Sequence, residues 1–70
     1  MGQMDWVQIQ AAQHKRLLEM REIIGREIAR NHPFSGPVIR TTLKMIRDNH
    51  GAEAEMETLR MFRLDPQQAA

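Results

Sequence analysis

The spacing of apolar residues in the first half of the chain predicts one long helix. From Asp5 to Asn31 there is no proline and a single glycine, and apolar residues recur every three or four positions. Asp5 is suited to cap this helix, with Gln8 at the third helical position as in a capping box. We therefore predict helix 1 over residues 5–31. Its main apolar stripe comprises Trp6, Ile9, Gln13, Leu17, Met20, Ile24 and Ile28.

A second, narrower apolar stripe follows the same helix, about a third of a turn away at 100° per residue. It comprises Val7, Ala11, Leu18, Gly25 and Ala29. A helix of about 25 residues extends ~38 Å at 1.5 Å per residue, which is too far for two shorter helices to cover both stripes. Either the helix bends near its glycine, or a second protomer or partner covers what is left. The alternative is that the second stripe is exposed and inert.

The rest of the chain predicts two shorter helices separated by turns. A proline- and glycine-rich turn occupies residues 32–36, and helix 2 follows over about 37–49. Gly51 is placed to end helix 2 in a left-handed conformation. Helix 3 is predicted over about 52–64, and the tail 65–70 is expected to fray.

The predicted architecture is all-α and a single domain over residues 1–70. The long N-terminal helix packs antiparallel to a short C-terminal helical hairpin. In helix 2 we expect a buried face formed by Val38, Ile39, Thr42, Leu43, Met45 and Ile46. In helix 3 the expected apolar stripe is Ala52, Met56, Leu59 and Phe62, and the acidic run Glu53, Glu55 and Glu57 is expected to be solvated.

The composition gives little support to catalysis. The chain has no cysteine and no tyrosine, and its one serine, Ser35, shares a turn with His32. Without an acid nearby to orient the histidine, we interpret Ser35 or Gly36 as the cap of helix 2 and His32 as the end of helix 1. No metal-ligand spacing occurs. We therefore expect no catalytic residue, metal, cofactor or small-molecule substrate.

The charge and hydropathy of the chain limit its possible partners and its location in the cell. Ten basic and nine acidic side chains leave a net charge of +1, which is not the balance of a dedicated nucleic-acid binder. No apolar stretch approaches the ~20 residues that span a bilayer, and no secretory signal is recognised. We expect a soluble, cytoplasmic protein that does not bind membranes.

One segment, residues 28–43, resembles a helix-turn-helix. The motif's small, apolar, serine, β-branched and leucine positions are occupied in turn by Ala29, Phe34, Ser35, Ile39 and Leu43. The resemblance implies that helix 2 enters the major groove of DNA, within a motif spanning residues 28–47. The residues that would contact bases and phosphates are Arg40, Thr41, Lys44 and Arg47.

The competing class is a protein-interaction module, which is our first expectation. So small a core, rich in methionine and poor in aromatics, is commonly completed by self-association or by a partner. We predict a small non-enzymatic regulatory or adaptor protein that forms a homodimer or binds another protein, with DNA as the alternative partner. The candidate interface comprises Trp6, Val7, Ala11, Leu18, Gly25, Ala29 and Met61.

Overall fold

The computed structural model describes residues 6–64, and this part of the chain contains three helices and no strand. They are α1 (Trp6–Arg30), α2 (Ser35–His50) and α3 (Ala52–Met61). The predicted all-α architecture is therefore confirmed, and α1 continues through Gly25 as one helix. The expected cap at Asp5 and the tail 65–70 lie outside the described residues.

The three helices run up, down and up. Near the first turn, the Ser35 hydroxyl donates a hydrogen bond to the Glu27 carboxylate at 3.0 Å. At the opposite end of α2, His50 lines a cleft together with Gln13 of α1. Contacts at both ends of α2 show that it lies antiparallel to α1 along its whole length. We find α3 returning in the direction of α1, because Arg21 of α1 bonds the middle of α3.

The core lies where the three helices meet. Its buried apolar side chains are Ile24, Ile39, Leu43, Ile46 and Leu59. Partly buried side chains packed against them are Leu17, Met20, Ala54, Phe62 and Leu64. All of these except Leu64 were predicted to face the core or to lie on an apolar stripe, since Ala54 and Met61 form a lesser apolar stripe of helix 3.

Four side chains that we predicted to be buried are exposed: Ile28, Val38, Met45 and Met56. Ile28 lies on the correct face of α1, but near the end of the bundle. Val38 and Met45 lie on a flank of α2 that neither α1 nor α3 covers. Apolar character alone therefore overestimated the width of the buried face of α2.

The predicted apolar stripe of helix 3 is correct at Leu59 and Phe62 and wrong at Ala52 and Met56, which are exposed. Glu55 and Thr58 are buried beside Leu59, whereas Met56 is 56% exposed. Of the acidic run, Glu53 and Glu57 are exposed as expected, but Glu55 is not. In this orientation Thr58 accepts a hydrogen bond from Arg21 of α1, while Leu59 and Ala54 pack on the core.

The turn between α1 and α2 closes differently from the prediction. Helix α2 begins at Ser35, two residues earlier than expected, with Phe34 at the cap position and no side-chain cap bond. Pro37 is then tolerated in the first turn, where backbone N–H groups lack intrahelical acceptors. Asn31, rather than His32, ends α1 in a left-handed conformation with φ 50°, a conformation that asparagine tolerates.

The other two boundaries are set by backbone conformation. Gly51 has φ 96° and ends α2, as predicted, and it alone separates α2 from α3. Helix α3 ends at Met61, three residues before the expected end. There the Leu64 N–H donates to the Leu59 carbonyl at 2.8 Å while Arg63 adopts φ 56°, the pattern of a Schellman motif.

Candidate interaction surfaces

The N-terminal end of α1 extends past the other two helices. Gln13 lies beside His50, the last residue of α2, so residues 6–12 project ~10 Å beyond it at 1.5 Å per residue. Trp6 is 67% exposed there and Val7 69%. Ile9 is half-buried. We call residues 6–12 the projecting end.

Two further candidate interface residues flank the seam between α1 and α3. Leu18 of α1 is 45% exposed and Met61 of α3 is 55% exposed. Leu18 lies one turn before Arg21, and Met61 lies one turn after Thr58, which is the residue that Arg21 bonds. Ala11 and Ala29 on the same side of α1 are exposed as well. We call Leu18, Ala29 and Met61 the α1–α3 apolar surface.

Gly25 serves a contact within the chain. A methyl group placed on its α-carbon would lie 3.4 Å from Cε1 of Phe62. The close approach that the small-residue stripe predicted is therefore made at this position by Phe62 of the same molecule, directly after α3. Gly25 lies beneath the α1–α3 apolar surface, and Phe62 covers it.

The structure leaves three of the candidate nucleic-acid contacts, Arg40, Lys44 and Arg47, on one side of α2. The fourth, Thr41, turns toward Val38. Arg40, Thr41, Lys44 and Arg47 are all exposed. However, α2 lies alongside α1, whereas the helices of a helix-turn-helix cross at about 90–120°. The contacts along the full length of α2 give an αα-hairpin instead.

An exposed apolar flank of α2 was not recognised as a surface from the sequence. It contains Val38 and Met45, and a shallow, largely apolar groove beside them is lined by Pro37, Val38, Thr41 and Thr42. The helical period placed Val38 and Met45 on the buried face, and no feature of the sequence indicated that they would be left uncovered.

A second cleft, between the start of α1 and the end of α2, is more polar. It is lined by Gln13, Arg16, Met20, Asn49 and His50. The Nε2 atom of His50 is buried and has no hydrogen-bond partner within residues 6–64. Within the same residues, no group of three or more His, Asp or Glu side chains is arranged to hold a metal ion.

The turn that contains Ser35 and His32 is held by hydrogen bonds to the Ser35 hydroxyl and has a structural role. The Ser35 hydroxyl accepts a bond from the His32 backbone N–H at 3.0 Å and donates to Glu27. The His32 ring instead accepts a bond at Nδ1 from the Phe34 N–H and stacks on the Phe34 ring. The hydroxyl and the imidazole are not paired, so the arrangement a nucleophile and base would need is not formed here.

The comparisons with known proteins assign no family. Searches against protein-family models, curated proteins and solved structures gave no match to this chain. None of the described helices is both long and apolar enough to cross a membrane.

Proposed function

We propose that this chain is a small non-enzymatic adaptor or regulator that associates with itself through helical contacts. Its setting is the cytoplasm, which suits a chain without cysteine. The observation that carries the proposal is the exposed apolar surface along α1, from Trp6 on the projecting end to Leu18 beside α3. Grouped exposed apolar side chains of this kind mark interaction sites.

A second copy of the chain is the favoured occupant of this surface. The intramolecular core has only five buried apolar side chains among the described residues, and small cores are commonly completed by oligomerisation. Pairing two α1 helices would also cover Trp6 and Val7, which neither α2 nor α3 reaches.

The test is the effect of Leu18→Glu on mass in solution, measured by sedimentation equilibrium at micromolar to millimolar concentration. We expect the variant to be a monomer where the unchanged chain is a dimer, because a buried unpaired carboxylate opposes association. The matched control is Met45→Glu, since both side chains are 45% exposed and Met45 lies on the far flank of α2. A chain that is monomeric throughout, or equal effects of both variants, would contradict the proposal.

Duplex binding through Arg40, Thr41, Lys44 and Arg47 is the second candidate. It is supported by the common exposure of these four side chains. If Lys44 contacts a phosphate, Lys44→Ala should reduce the salt dependence of duplex affinity by about one in slope. A salt slope that is the same in the variant would oppose this function.

A further inference from the structure

The cleft between α1 and α2 has room for one large side chain. Its volume is about 210 Å³, and it is lined by Gln13, Arg16, Met20, Asn49 and His50. Sites that hold drug-sized ligands and cofactors measure about 300–1,000 Å³. The cleft is therefore too small for such a molecule, and a single side chain inserted from another helix is the better match to its size.

The groups that line this cleft suit a tryptophan ring. The Arg16 guanidinium is exposed and forms no ion pair within residues 6–64, and a guanidinium is attracted to the face of tryptophan above other rings. The thioether of Met20 makes favourable contacts with aromatic rings. Asn49 donates its Nδ2 to the Met45 carbonyl at 2.9 Å, which leaves its Oδ1 to accept a bond from an indole N–H.

The chain has one tryptophan, and it cannot enter its own cleft. Trp6 is 67% exposed on the projecting end, and Gln13, the first cleft residue on α1, lies ~10 Å further along the helix. The Cα–Cβ bond of a helical residue tilts toward the N-terminal end, so the indole points away from the cleft of its own molecule. A tryptophan in the cleft therefore has to come from another molecule.

The projecting end and the cleft belong to one stripe of α1. Trp6, Ile9, Gln13, Arg16 and Met20 recur at alternating intervals of three and four residues, and they lie within about 80° of one another at 100° per residue. Intervals of this kind form the seam between paired helices. The first two residues lie on the projecting end, and the last three line the cleft. Two copies that run in opposite directions therefore bring each projecting end to the cleft of the other, in a reciprocal two-fold contact.

We propose that Trp6 of one copy occupies the cleft of a second copy, which returns the same contact. This inference rests on the self-association proposed above, and it names the site that receives the projecting end. The helix ends are complementary in charge as well. The first turn of α1 carries a partial positive charge, and α2 ends beside the cleft at His50, where a helix carries a partial negative charge.

The experiment follows the fluorescence of Trp6 together with sedimentation equilibrium, from micromolar to millimolar concentration. Tryptophan emission moves to shorter wavelength when the indole leaves water. The cleft variant is Arg16→Glu, and its matched control is Arg26→Glu, the same substitution at another exposed position of α1. Circular dichroism checks that both variants remain helical.

We expect the emission of the unchanged chain to move to shorter wavelength as the chain associates. Arg16→Glu should weaken association about tenfold, because it replaces a cation–π contact with a carboxylate beside the negative face of the ring. Trp6→Ala, at an exposed position, should weaken association at least as much. Arg26→Glu should change it by less than about twofold.

A mixture of two variants tests the reciprocal contact. The Trp6→Ala chain has no tryptophan and an intact cleft, whereas the Arg16→Glu chain keeps its tryptophan and has an impaired cleft. An excess of the first chain should restore the emission shift of the second, because Trp6 then has an intact cleft to enter.

Two kinds of failure are distinguishable. A dimer that responds equally to Arg16→Glu and Arg26→Glu, or a mixture without an emission shift, would overturn this inference and leave self-association standing. A chain that is monomeric at every concentration would contradict both proposals.

Discussion

At the residue scale, two neighbours on α2 test its helical phase. Leu43 is fully buried, and Arg40, three residues earlier, is exposed. Leu43→Ala should lower the free energy of unfolding by about 2–5 kcal/mol, since it removes buried methyl groups and leaves a cavity. Arg40→Ala should change it by less than about 0.5 kcal/mol. Urea unfolding followed by circular dichroism measures both, and similar losses would show that the phase is wrong.

Gly25 provides a second residue-scale prediction. Gly25→Ala should stabilise the chain by about 0.5–1 kcal/mol, because glycine inside a helix costs about that much relative to alanine. The added methyl group would meet Cε1 of Phe62 at 3.4 Å, which is ordinary contact.

Gly25→Leu should instead destabilise the chain, because the larger side chain must displace the Phe62 ring. Thermal unfolding of the two variants beside the unchanged chain checks the pair of outcomes. Equal stability of the alanine and leucine variants would mean that Phe62 does not restrict this position.

At the element scale, the turn between α1 and α2 depends on a buried hydroxyl. Ser35 is 6% exposed and joins the His32 N–H to the Glu27 carboxylate. Ser35→Ala should cost about 1–3 kcal/mol, since it leaves these buried polar groups without their partner. The control is Thr41→Ala at an exposed position of the same helix, which should cost less than about 0.5 kcal/mol. Chemical denaturation measures the free energy of unfolding of both variants. Equal losses would contradict the stabilising role of the Ser35 hydroxyl in this turn.

The sequence predicted some features of the individual helices and not others. The long run without proline fixed the existence of α1, and Gly51 marked the end of α2. The buried side of α3 could not be predicted from its ten residues, because Glu53, Glu55 and Glu57 alternate with alanine and methionine and all three residue types suit a helix. In the rotation that α3 adopts, Thr58 accepts a bond from Arg21 while Leu59 and Phe62 pack on the core, and both kinds of contact join residues far apart in the sequence.

At the scale of the whole molecule, self-association should make stability depend on concentration. If association occurs only in the folded state, a higher protein concentration favours that state by mass action. The thermal midpoint should therefore rise between about 10 μM and 1 mM. In Leu18→Glu it should be independent of concentration, while Met45→Glu should retain the rise. Differential scanning calorimetry at several concentrations measures this, and a constant midpoint in the unchanged chain would argue for a monomer.

Some residues of the candidate surfaces could be predicted from the sequence and others could not, as was true of the fold. The sequence identified Trp6, Val7, Leu18 and Met61 as apolar positions in excess of the core, and the structure leaves all four exposed. It also identified the basic stripe of α2.

The sequence by itself determined the three helices and most of the core, because helical periodicity, glycine and proline act through the local backbone. Tertiary structure decided which apolar residues were covered: Phe62 lies over Gly25, whereas Met45 and Met56 have no helix packed over them. It also decided that α1 and α2 lie side by side. Burial and helix rotation depend on contacts between distant parts of the chain, so local patterns could not fix them.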